Sequence, residues 1–342
     1  VSTGNTTSGE SGYIALITGD AAEGSGGDIR ALVGTGDAGN GGDVIVTAGD
    51  TTDRASTGGT IFITAGDGNS TDAEDGGDGG DVIITAGESL GTNSSVDVGG
   101  DVVVTAGYAS TGKGGDMSLE TGFSNSTSSG RMTIETANAG AAGVSGEISM
   151  STGLATAGGS GDFSVVTGNA QQGNGGDITM FVGTGDTFDG GDVTVTAGDT
   201  TDAATKGGDV TILAGDGNST DAADGGDGGS VIITAGEGLG TNASANVGGD
   251  VVVSAGYAST GYGGAVTVST GFSNSTSSGA MTLATADAGA VGVSGPISVS
   301  TGIATAGGSG DFSLVTGDAV QGNGGDITMF VGTGDTGDGG DV

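Results

Sequence analysis

Aspartate recurs at one place in this chain more regularly than any other group that can hold a ligand. It follows a glycine and precedes an apolar segment at Asp28, Asp43, Asp81, Asp101, Asp116, Asp162, Asp177, Asp192, Asp209, Asp250, Asp311, Asp326 and Asp341. Two chemistries suit a repeated Gly-Gly-Asp. Glycine can supply an unusual φ while the carboxylate accepts backbone N–H groups, which makes the triplet a corner. Carboxylates stacked ~5 Å apart would instead repel one another unless cations sat between them, which makes the column a calcium ladder. Residues Gly76–Ile84, GGDGGDVII, match a nine-residue calcium-binding repeat once. That match does not recur in tandem. Ser230 replaces Asp81 in the second copy, and Thr60, Arg131, Glu147, Ala265, Ala280 and Pro296 fill the same position elsewhere. A ligand column tolerates such gaps poorly, so the corner reading is preferred. Calcium is the one cofactor the column could take, through Asp43, Asp81, Asp101, Asp116, Asp177, Asp192, Asp209 and Asp326, and diffuse attraction of cations is a third reading.

Other chemistry is sparse. The chain has no His, no Cys and no Trp. The usual general base, the thiol nucleophile and the soft metal ligands are therefore missing. Every acid belongs to a repeated column, so no enzyme is expected. A polysaccharide-active enzyme would need an irregular acidic cleft. Asn-x-Ser/Thr triplets start at Asn5, Asn69, Asn93, Asn125, Asn218, Asn242 and Asn274. They are glycan acceptors if the chain is secreted by a eukaryote. Pairs such as Thr194 and Thr196 raise ice binding, but Arg30, Glu120, Glu135 and Phe181 interrupt any Thr lattice. Val166 with Phe181, and Val315 with Phe330, break the polar rule of their positions. Either the return segment covers them, or they form a lateral contact between rods.

The elements that would position these groups are short and periodic. A six-residue segment recurs from Ile14–Gly19 and Ile29–Gly34 through Val44–Gly49, Ile61–Gly66, Val82–Gly87 and Val102–Gly107 onward. In each hexad the first and third residues are apolar, the second and fourth usually Thr or Ser, the fifth Ala, Thr or Val, and the sixth almost always Gly. Period-two alternation with β-branched residues is a strand signal, and no segment combines a helical period with caps. Hexads start 15 to 21 residues apart. Nine of these units make a longer repeat: Val44 recurs as Val193, a shift of 193 − 44 = 149 residues. Residues 1–149 are one copy, 150–298 a second and 299–342 part of a third.

Constant phase at one strand per unit predicts an all-β fold, a parallel β-solenoid (β-helix) of about 15-residue coils with nine coils per superrepeat. Each apolar first residue would stack on its equivalent ~4.8 Å away, and one continuous rod would carry a superperiod near 43 Å. An antiparallel meander is the rival arrangement. The chain begins and ends in mid-pattern, which predicts a window on a longer array or a subunit that stacks end to end.

Composition sets the outer bounds. Of 342 residues, 82 are Gly, far above the ~7% of ordinary globular domains. Forty-two acids against five bases give a formal charge of −37. That charge disfavours nucleic acid and anionic membrane and favours cations. No stretch reaches the ~18 apolar residues of a membrane span.

The segment SGDFSLVTGDAVQGNGGDITMFVGTGDTGDGGDV, Ser309–Val342, resembles long Gly/Ser/Thr/Asp-rich repeats in surface or secreted proteins of stramenopiles such as diatoms and oomycetes. The likeness runs along the whole chain and lies in its repeat grammar. It implies an extracellular or cell-surface location and a repeat architecture, with no activity or site residues. The expected function is that of a structural extracellular protein, a glycoprotein that polymerises with itself end to end or laterally into a filament or cell-surface fibre. The competing expectation is a calcium-dependent adhesin or a mineral-associated acidic scaffold.

Overall fold

The computed structural model describes residues 2–341 apart from 73, 75, 221–224, 243–245 and 334–337. Among the described residues there is no strand and no helix. The expected all-β parallel solenoid is therefore not what this chain forms. No described residue is buried, and the described residues form no hydrophobic core. The accessible surface is 33064 Å². A compact protein of 31.5 kDa would expose about 12,000 Å², and its extended chain about 46,000 Å². The chain lies much closer to the second value.

The physical reason is visible in the hexads. Alternation gives a segment two unlike faces but does not name a neighbour for either one. Val44, Ile45 and Val46 are 63, 82 and 69% exposed. The first and third residues are shielded more than the second, so the alternation survives, but nothing covers it. Between the first and fifth positions of the hexads, the backbone makes no hydrogen bond among the described residues. Stacking such segments would bring acidic corners together in a chain of charge −37, and like charges at that spacing oppose it. It would also order a chain rich in glycine, whose backbone loses the most freedom on folding. A few Val and Ile side chains per unit do not outweigh both costs.

Order is local instead. The chain falls into two units, Val1–Val165 and Val166–Val342, and the same device is repeated in each. After a hexad the chain makes a loop and returns to the residue that ended the hexad. The second glycine of the Gly-Gly pair before the next hexad donates its N–H to the carbonyl of the hexad's terminal glycine. In the first unit Gly59 bonds Gly49 at 2.8 Å, Gly80 bonds Gly66 at 2.9 Å, Gly100 bonds Gly87 at 2.9 Å and Gly115 bonds Gly107 at 2.9 Å. In the second unit Gly208, Gly229, Gly249 and Gly264 bond Gly198, Gly215, Gly236 and Gly256 at 2.8 to 2.9 Å. We call each closure a neck.

The long repeat also appears in backbone conformation. Gly77 and Gly226 have φ of 77° and 76° and occupy equivalent positions in the two copies. The left-handed region favours glycine, so these turns require it. Gly9, Gly158 and Gly307 form a second positive-φ series in the same register, and Gly24, Gly173 and Gly322 a third.

Candidate functional site

The neck is a construction the chain builds repeatedly, and the sequence accounts for each part of it. The second glycine of the Gly-Gly pair lies against the fifth residue of the preceding hexad. A Cβ added at Gly59 would stand 3.2 Å from Ala48 Cβ and 3.2 Å from Gly49 N; at Gly115 it would stand 3.1 Å from Gly107 N. At Gly191 and Gly340 it would meet Val182 and Val331 Cγ1 at 2.6 and 2.7 Å. Glycine is needed there because a side chain would hold the two strands of the neck apart.

The fifth residue sets how tightly the neck closes. Where it is alanine, at Ala48, Ala65, Ala86, Ala106, Ala197, Ala214, Ala235 and Ala255, the closing bond is 2.8 to 2.9 Å. Where it is Thr121 or Thr270 the bond is 3.0 or 3.1 Å, and where it is Val33 or Val331 it is 3.4 or 3.2 Å. At Val182 and at Thr18, Thr152, Thr301 and Thr316 the terminal-glycine bond is absent among the described residues, and the hexads of Thr136 and Thr285 end in Ala137 and Ala286, whose carbonyls accept no such bond either. Thr167 substitutes its hydroxyl, which donates to the carbonyl of Gly176 at 3.0 Å. Seven of these eight neck alanines, all but Ala255, are also half-covered in a chain that is otherwise nearly all exposed.

The loops beyond the necks are braced by short polar side chains. The Asp53 N–H donates to Thr51 Oγ1 at 3.2 Å, and Ser56 Oγ donates to Asp53 Oδ2 at 2.6 Å. In the equivalent loop the Asp202 N–H donates to Thr200 Oγ1 at 3.2 Å, and the Thr200 and Thr205 hydroxyls meet at 2.9 Å. These are turns in which a side chain mimics a backbone partner.

The aspartate column stands beside the necks without closing them. Asp28 pairs with Arg30 at 2.8 Å, Asp116 with Lys113 at 2.8 Å and Asp209 with Lys206 at 2.6 Å. Asp43, Asp81, Asp101, Asp177, Asp192 and Asp326 are exposed. None of the column accepts a backbone N–H among the described residues. Where a neck is closed, glycine makes the bond, and the carboxylates face solvent. No group of three or more acidic side chains among the described residues is close enough to hold a metal ion. No pocket is present among them either.

The apolar pairs singled out in the sequence lie open. Val166 and Phe181 are 82 and 92% exposed, and Val315 and Phe330 are 81 and 93%. No return segment packs over them. Phe62, Ile83 and Val103 are equally open, so exposure alone does not set the four apart.

The sequons all fall in loops outside the hexads, and they differ in detail. At Asn93 the side-chain oxygen accepts the Ser95 N–H at 3.1 Å, and the Asn93 N–H donates to Asp97 Oδ2 at 2.6 Å. At Asn125 and Asn274 the preceding serine dominates. Ser124 Oγ and Thr127 Oγ1 are 2.9 Å apart, and Ser273 Oγ and Thr276 Oγ1 are 3.0 Å apart. Asn69 and Asn218 lie exposed in the loops that carry Gly77 and Gly226. The triplet at Asn242 includes Ser244, which lies outside the described residues.

Sequence reasoning reached the glycines and the sequons but missed the fifth residue as the seat of the neck. The signal was present, because that position is held to Ala, Thr or Val throughout. It also missed Ser124 and Ser273, which only their loop geometry picks out. No helix among the described residues is long and apolar enough to cross a membrane. No protein-family model matches the chain, and comparison with curated proteins and with solved structures gave no match.

Proposed function

We propose that this chain is a non-catalytic structural protein of the extracellular space or cell surface, and that copies of it associate through their hexads into larger assemblies. The observation that carries this reading is the state of the hexads. They recur at regular spacing, keep apolar residues on alternate positions, and leave both those side chains and their backbone groups without partners. Unpaired segments of this kind are templates for association with another chain. An identical copy offers the same spacing, so many weak contacts can form in register and add together. Where a neck is closed, it holds the end of one hexad close to the glycine pair that precedes the next.

Charge controls the process. At −37 per chain, two copies repel at low ionic strength. Salt shortens the range of that repulsion from about 30 Å at 0.01 M to about 8 Å at 0.15 M. Sedimentation velocity of the full chain tests the reading. We expect 31.5 kDa monomers in dilute low-salt buffer, and larger species as salt and protein concentration rise. Monomers throughout that range would refute the association.

The solvent-facing carboxylates of the aspartate column favour one second reading, in which cations act as counter-ions for an adhesive or mineral-associated surface. Calcium and sodium compared at equal ionic strength separate the two. Assembly that follows ionic strength alone supports the first reading, and assembly that needs calcium supports the second.

A further inference from the structure

We infer that Asn93 accepts an N-linked glycan faster than Asn125 and Asn274, whose Asn-Ser-Thr triplets are restrained by the serine that precedes each of them.

Transfer to a sequon needs two groups at once, the Asn carboxamide and the hydroxyl two residues later. At Asn93 the local turn presents both. The Ser95 N–H is donated to Asn93 Oδ1 at 3.1 Å, which curls the side chain over the triplet. The Val96 and Asp97 N–H groups both donate to the Asn93 carbonyl, at 3.1 and 3.0 Å. Asp97 Oδ2 accepts the Asn93 N–H at 2.6 Å and closes the turn from the other side. The Asn93 amide nitrogen and the Ser95 hydroxyl are left without hydrogen bonds, and both residues are exposed. The turn lies outside the neck that joins Gly100 to Gly87, so a bulky group there meets no hexad.

At Asn125 the hydroxyl is already engaged. Ser124 Oγ lies 2.9 Å from Thr127 Oγ1 and accepts the Thr127 N–H at 3.0 Å. It also takes the Ser126 N–H at 3.4 Å. Asn274 repeats the arrangement. Ser273 Oγ lies 3.0 Å from Thr276 Oγ1 and accepts the Thr276 and Ser275 N–H groups at 3.0 and 3.4 Å. Ser124 and Ser273 are also half-covered, unlike nearly all their neighbours. A transferase must undo these bonds before it can use either hydroxyl. All of these turns are made by residues within four positions of one another, and no core is needed to hold them. They therefore act on the chain as a transferase meets it.

The chemistry balances with one co-reactant, an oligosaccharide carried on a lipid diphosphate. The Asn93 amide nitrogen forms a bond to C1 of the first sugar. The bond from C1 to the diphosphate oxygen breaks, and the lipid diphosphate leaves with its electrons. The amide proton passes to a base of the transferase.

The test uses the full, unglycosylated chain with purified oligosaccharyltransferase and its lipid-linked donor, with occupancy of each site followed by mass spectrometry. It depends neither on where the protein resides nor on whether copies assemble. We expect Asn93 to be modified about fivefold faster than Asn125 or Asn274, the effect of one to two exposed hydrogen bonds. Ser124→Ala should raise the rate at Asn125 and leave Asn93 and Asn274 as they were. Asp97→Ala should lower the rate at Asn93 alone. Equal or faster modification of Asn125 in the unaltered chain would overturn the inference, as would a Ser124→Ala chain whose Asn125 rate is unchanged.

Discussion

Loops Gly107–Gly115 and Gly153–Gly161 span the same number of residues, yet only the first is closed. Its neck bond is 2.9 Å, whereas no bond joins Gly161 to Gly153. Loop length therefore does not decide closure. The residue before the first glycine differs, being Ala106 in one case and Thr152 in the other, as does the residue before the returning glycine, Gly114 against Ser160. Alanine lets the returning glycine approach until its N–H reaches the carbonyl. A β-branched side chain holds it off, and the added Cβ that would stand 3.1 Å from Gly107 N at Gly115 finds nothing nearer than 3.9 Å at Gly161. Thr121 shows that the obstacle can be overcome, because its loop is also braced by Ser124 and Thr127 and its neck closes at 3.0 Å. An alanine before the terminal glycine thus goes with a short, tied neck in every case, whereas Thr or Val goes with a longer bond or none. Along the chain a run of tied loops, from Gly49 to Gly130 and again from Gly198 to Gly279, alternates with runs of open ones.

This comparison can be broken deliberately. The largest effect is expected from Gly115→Val, which puts a branched side chain into the closed neck. The Gly115 amide should lose its protection and take on the temperature dependence of a solvent-bonded N–H by NMR, whereas Gly161→Val should change nothing in its already open loop. Ala106→Val should act in the same direction but less strongly, giving a long closure like that of Val33, with a drop of about fivefold or less in amide protection for a bond worth about 1 kcal/mol. The reverse changes sharpen the contrast. Thr152→Ala should create a bond from Gly161 to Gly153, and Val182→Ala one from Gly191 to Gly183, each seen as a new slowly exchanging amide. The smallest effect belongs to Lys113→Ala. It removes an ion pair whose side chains are both 79% exposed, and such pairs contribute little, so the Gly115 amide should be unchanged.

Much of this was legible in the sequence. The 149-residue register recurs in the necks at Gly59 and Gly208 and in the turns at Gly77 and Gly226. The bounds of the hexads are those at which the loops close. The glycine pair reads as a corner of unusual φ, but no pair that precedes a hexad has a positive φ among the described residues; where the neck is closed, its second glycine donates the closing bond instead. The stacking of hexads was not legible, for a physical reason. In Val44–Gly49 the period-two pattern assigns Val44 and Val46 to one face, but a face implies burial only if something meets it. Constant phase suggested the next hexad as that partner. The acidic corner beside each hexad and the entropy of its glycines oppose that meeting within one chain. The role of Asp192 was likewise half legible. The pattern makes it the hydrogen-bonding residue of a corner, but it accepts no backbone N–H among the described residues, its carboxylate is exposed, and Gly191 beside it closes no neck.

Amide hydrogen exchange of the dilute full chain, resolved residue by residue, tests the central claim most directly. The account predicts that hexad amides such as Ile45 and Val46 exchange at the rate of an unstructured peptide, while the neck amides of Gly59, Gly100 and Gly115 exchange about fivefold more slowly. Hexad amides protected by orders of magnitude in the dilute monomer would reveal a hydrogen-bonded ladder and contradict it.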